Sequence, residues 1–156
     1  MGHGLQGAFI RAFAQARKQI DMKDIFLFAR VSYLFFILPV IMHIKPLPEI
    51  LKSWTPCRPP KLREWNISKI IKYLDLFFKL RAPFFSRRGT CLKRSLVLYK
   101  FLREKGIEVR INIGVKGDNK KIYGHAWLTL NDKPYLAQLQ PQMNEDFKVC
   151  FIFPST

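Results

Sequence analysis

The sequence predicts an α+β fold in which helices come first and a small antiparallel sheet follows. Two features of the pattern predict it. Apolar residues recur at helical spacing through the first hundred positions, and strict alternation then takes over from residue 107, with turn signals marking off further strands. At 156 residues and 49% hydrophobic content the chain supplies one core. The expected organisation is an N-terminal helical segment over 1–60, containing a hydrophobic helix, followed by a core domain over 61–156.

Residues 5–20 place Leu5, Phe9, Ile10, Phe13, Ala16 and Ile20 on one face, an amphipathic helix without the small-residue cleavage site of a secretory signal. Ile25 to Ile44 is the most hydrophobic stretch. Arg30 lies within it and Pro39 interrupts its helical hydrogen bonding, so uninterrupted apolar sequence runs only from Val31 to Met42. That length suits a core or interfacial helix better than a spanning one, and the lysines on both flanks give no orientation.

Five prolines between Lys45 and Pro60 predict an extended connection with no continuous helix. Helical spacing resumes over 66–81, with Ile67, Ile70, Ile71, Leu74 and Phe77 on one stripe.

From Ser86 the chain reads SRRGTCLKRSLVLYKFLREKG. Thr90 is a good N-cap, Leu92, Leu96, Tyr99 and Leu102 form a stripe, and Gly106 suits a C-terminal cap. The run IEVRINIGV over 107–115 alternates as a half-buried strand. KGDNKK turns into IYGHAWLTL, and Asn131–Asp132 turns into PYLAQLQ, completing a meander.

The net charge of +16 is spread along the chain. Such a field attracts anionic partners, but no helix-turn-helix, zinc-finger or RNA-recognition signature accompanies it, so specific nucleic-acid binding is not expected. A membrane-surface contact is compatible with it. The three cysteines, Cys57, Cys91 and Cys150, form no CxxC pair, which argues against a disulfide framework and a zinc site and for an intracellular, cytoplasmic protein without cofactors.

Cys91 is the residue with chemistry. A cysteine opening a helix meets unpaired amides and the positive end of the macrodipole, which favour a thiolate, with Arg87, Arg88, Lys93 and Arg94 nearby. The same amides suit the oxyanion of an attacked carbonyl. His125 sits mid-strand beside Gly124, where a missing side chain allows close approach. A helix-start cysteine with a strand-centre histidine is the papain-type arrangement, in which imidazole takes the thiol proton and later protonates the leaving amine. Trp127 shares the strand face of His125, whether as a shield or as core. Cys150 reads as inert, and Cys57 as incidental.

Together TCLKRSLVLYKFLREKGIEVRINIGV and GHAWLTLNDKP resemble the transglutaminase-like leader peptidases of lasso-peptide biosynthesis, closely over about residues 86–134. Phe26–Trp54 looks like the helical part preceding that core. The resemblance implies a transglutaminase-like (papain-like) core, with the nucleophile at a helix N-terminus packed on a small antiparallel sheet. It also implies removal of the leader from a ribosomally made precursor peptide before an ATP-dependent cyclase acts. The chain has no room for a leader-recognition domain, so a separate leader-binding protein is expected.

Cys91 and His125 match the motif. The family's third member, an aspartate on the strand after the histidine, has no clear counterpart: Gln138 is the nearest polar residue, and Asp132 lies earlier, in the turn. An amide can orient imidazole but stabilises imidazolium less. Three readings stay open: Gln138 in that role, Asp132 folding back, or an impaired protein that serves as a peptide-binding or membrane-surface scaffold.

Overall fold

The computed structural model describes residues 22–56, 65–81, 89–118, 121–136 and 147–155. The expected amphipathic helix over 5–20, Cys57 and Gln138 lie outside them. Four helices, α1 (Met22–Ile44), α2 (Leu47–Trp54), α3 (Ile67–Arg81) and α4 (Thr90–Glu104), precede four strands, β1 (Arg110–Asp118), β2 (Lys121–Leu130), β3 (Lys133–Tyr135) and β4 (Lys148–Phe153). The fold is mixed: helices packed with a small antiparallel sheet.

Two proline-based expectations are corrected. α1 runs through Pro39 as one 23-residue helix. Its inward stripe of Leu27, Val31, Leu34, Phe35 and Leu38 is buried up to the residue before the proline, partly buried Met42 beyond it packs on the same core, and that packing offsets the roughly 3 kcal/mol an interior proline costs. The stretch after Lys45 is not wholly extended either, because α2 forms within it. Pro46 is its N-cap and Pro48 lies in its first turn, where a missing N–H has no intrahelical acceptor to lose. Ile50 and Leu51 are fully buried, and Thr55 beyond the helix bonds the Tyr99 hydroxyl at 2.7 Å.

α3 starts where Asn66 accepts the Lys69 N–H on Oδ1 at 3.1 Å, and it buries the predicted Ile70, Leu74 and Phe77. These residues share a core with α1 and α4, so one apolar cluster runs across both sides of the expected boundary near residue 60. Arg30 of α1 reaches Glu104 of α4 at 2.8 and 2.9 Å across that cluster.

α4 is the central helix, contacting α1 and α3 on one side and β1 and β2 on the other. The predicted single stripe is therefore too narrow. Ser95 to Tyr99 are all buried, as are Phe101 and Leu102, because both flanks of the helix meet partners. Its end is a Schellman motif: Gly106, at φ 84°, donates to the Arg103 carbonyl at 3.1 Å, and Ile107 donates to Leu102 at 2.9 Å. That cap engages Ile107, and β1 begins only at Arg110, three residues later than the alternation suggested.

The sheet order is β3-β2-β1-β4, all antiparallel. The predicted meander is present, and β4 adds to the free edge of β1. The third strand is Lys133–Tyr135, so only Pro134 and Tyr135 of the predicted PYLAQLQ are strand among the described residues. Register places Ile111 opposite Leu128 and Ile113 opposite Ala126, and three of these four, Ile111, Ala126 and Leu128, are fully buried on the α4 side. Asn112 opposite Trp127, and Gly114 opposite His125, share the other face.

Candidate active site

Cys91 sits in the first turn of α4, as predicted, although the start itself differs. Gly89, at φ 72°, is the N-cap and makes no side-chain cap bond, so Thr90 is the first helical residue and not the cap. A left-handed residue at the cap suits glycine, and the first helical bond runs from the Lys93 N–H to the Gly89 carbonyl at 3.1 Å. The amides before Lys93 have no carbonyl one turn back within the helix. Of the nearby cations, Arg94 is engaged by Asp75 of α3, while Arg87 and Arg88 lie outside the described residues.

Two contacts attach this helix to β2. Ser95 Oγ donates to the Ala126 carbonyl at 3.0 Å, and Cys91 Sγ stands 4.0 Å from the Gly124 carbonyl oxygen. Four helical residues rise about 6 Å and two strand residues about 6.6 Å, so α4 and β2 run alongside each other nearly in step. The step brings Cys91 to the peptide that leads into His125.

His125 is 6% exposed. Its ring lies nearly parallel to that of Trp127, with centroids 5.9 Å apart and planes 17° apart, and Phe147 closes over it at 5.3 Å. Burial pushes the imidazole below its ordinary pKa, keeping it neutral and able to accept a proton. Nε2 is buried and has no hydrogen-bond partner among the described residues.

The close approach expected at Gly124 occurs elsewhere. A Cβ built on Gly124 meets nothing within 4 Å, so this glycine leaves open space beside Cys91. At Gly114 a Cβ would fall 2.9 Å from the Trp127 ring and 3.1 Å from the Lys148 carbonyl. The β1–β4 register also shifts between Ile113 and Gly114. The missing side chain lets Trp127 lie across β1 beside His125.

A family model of the transglutaminase-like superfamily matches residues 53–151, well over half of the chain. The chain belongs to the transglutaminase-like superfamily. The match takes in Cys91, His125, β1 to β3 and the first part of β4. No match was found among curated proteins or solved structures.

In this transglutaminase-like chain the candidate third residues fare differently. Gln138 lies outside the described residues. Asp132, in the β2–β3 turn at φ 59°, is 83% exposed and bonds Arg110 at 2.9 Å. Five strand steps separate His125 from Leu130 before that turn, about 16 Å, so Asp132 does not fold back to the imidazole. Cys150 is exposed on β4, with Sγ 3.3 Å from the Ile113 carbonyl. Among the described residues no group of His, Cys, Asp and Glu is placed to hold a metal.

Three residues that position this site escaped the sequence reading: Ser95, Gly114 and Phe147. Gly114 had a signal, since a lone glycine inside an alternating strand marks a bulge or a close approach. Ser95 and Phe147 had none, because their partners are remote in sequence.

Proposed function

We propose that this protein is a cysteine peptidase that removes the leader segment of a ribosomally made precursor during lasso-peptide maturation, with Cys91 as nucleophile and His125 as general base. The observation that carries the reading is the Cys91 thiol, in the first turn of α4, standing 4.0 Å from the carbonyl that precedes a buried, neutral His125. The resemblance of the Cys91 and His125 motifs to leader peptidases supplies the substrate class.

Once the imidazole of His125, which the register places on the sheet face away from α4, reaches the thiol, it takes the Cys91 proton as Sγ attacks the scissile carbonyl, and the oxyanion faces the first-turn amides of α4. The tetrahedral adduct collapses, the imidazolium protonates the departing amine, and water, deprotonated by His125, releases the acid from the thioester. Gln138 is the residue proposed to orient the imidazole. The partners are the precursor peptide, a separate leader-binding protein and an ATP-dependent cyclase, in the cytoplasm.

The test is precursor cleavage reconstituted with the leader-binding protein. Wild type should release leader and core, and Cys91→Ala should release neither; cleavage by Cys91→Ala at the wild-type rate sinks the proposal. A second reading, a silent peptide-binding protein of the same fold, draws on the lack of a partner for His125 Nε2 among the described residues. It is favoured if a thiol alkylator labels Cys91 no faster than Cys57 at neutral pH.

A further inference from the structure

α1 is apolar on both of its faces. Its inner stripe fills the core, while Ile25, Phe26, Tyr33, Phe36, Val40 and Ile44 project outward, each at least 48% exposed. They extend over most of a helix about 33 Å long. The one cation between Asp24 and Lys45, Arg30, turns inward to Glu104, with its guanidinium 5.0 Å above the Trp65 ring. A contiguous outward apolar stripe of this extent marks an interaction surface.

We propose that this face of α1 docks on an anionic lipid bilayer, lying in the interface without crossing it. The chain's charge of +16 identifies the lipid as the occupant: an anionic leaflet attracts such a field, and Lys23 and Lys45 stand at the two ends of the uncharged stripe. Phe26, Tyr33 and Phe36 supply the aromatic side chains that settle at headgroup depth.

Among the described residues α1 is the one helix long and apolar enough to cross a membrane. Crossing would strip Val31, Leu34, Phe35 and Leu38 from the core and pull Arg30 off Glu104. Docking leaves both intact. The inference stands apart from the peptidase reading, because it uses no residue of the candidate active site.

The experiment is flotation of the full chain with vesicles of phosphatidylcholine alone or with 30% phosphatidylglycerol. Wild type should float with the anionic vesicles and at least about tenfold less with the neutral ones, and 0.5 M salt should weaken the binding. Phe36→Glu and Val40→Glu, both outward-facing, should each lower partition about tenfold, while Ile152→Glu at an exposed position of β4 leaves it unchanged. Three outcomes overturn the proposal: wild type that floats with neither vesicle, resistance to alkaline carbonate extraction (a spanning helix), or a wild-type dimer in solution that Phe36→Glu dissociates. The wild-type measurements decide even if a variant misfolds.

Discussion

Ser95 Oγ donates to the buried carbonyl of Ala126 at 3.0 Å, and one turn earlier on the same helix Cys91 meets the carbonyl of Gly124. This bond ties α4 to β2 and sets the height of the cysteine against the histidine strand. Ser95→Ala should leave the Ala126 oxygen buried and unpaired, costing about 1–3 kcal/mol in urea denaturation. Cleavage should fall further than that loss alone predicts in samples still fully folded, because the helix start is freed to slide.

The two glycines beside His125 should respond in opposite ways to the same substitution. Gly114→Ala drives a methyl into the Trp127 ring and should destabilise the fold by about 1–3 kcal/mol. Gly124→Ala meets open space and should leave the denaturation midpoint nearly unchanged, yet lower cleavage by filling the space beside Cys91. Equal stability loss in both would contradict this account.

Trp127 and Phe147 exclude water from the imidazole. Trp127→Ala should admit it, and the His125 pKa, followed by NMR, should rise toward the ordinary value near 6.5. Trp127→Phe should keep much of the depression. A titration identical to wild type in Trp127→Ala would show that the ring does not desolvate the base.

The same depression makes stability depend on pH. The unfolded chain protonates His125 near its ordinary pKa, while the folded chain resists down to a lower value. The stabilisation is therefore complete above about pH 6.5 and is lost as pH falls from there toward the folded pKa. Denaturation at pH 7.5 and 5.5 should show this slope, and His125→Gln should flatten it.

Asp132→Asn tests the geometry of the turn. The exposed pair with Arg110 contributes under about 1 kcal/mol, so stability should hardly move. Cleavage should stay within about twofold of wild type by the same reasoning. A loss as deep as that of His125→Gln would mean that the carboxylate reaches the imidazole after all.

Much of this was legible in the residues. Alternation over 107–115 announced β1, and the apolar period after Gly89 announced a helix with Cys91 in its first turn, because period is local, although the cap is Gly89 and not the expected Thr90. The proline-rich stretch misled: prolines forbid helix interiors, yet at Pro46 and Pro48 they start one, and only the burial of Ile50 and Leu51 decides between these outcomes. Pro39 misled in the same direction, since its cost is local and the packing that offsets it is not.

What the sequence by itself determined is that helices precede an antiparallel sheet, that Cys91 stands at a helix start and that His125 stands within a strand. Only the tertiary structure decided that Gly114, and not Gly124, accommodates a close neighbour, that Asp132 belongs to Arg110, and that α1 is apolar outward as well as inward. Cap, turn and periodicity signals act over a few residues and can be read along the chain. Which side chains meet depends on register and packing between segments many positions apart, and on burial, which no short window of sequence contains.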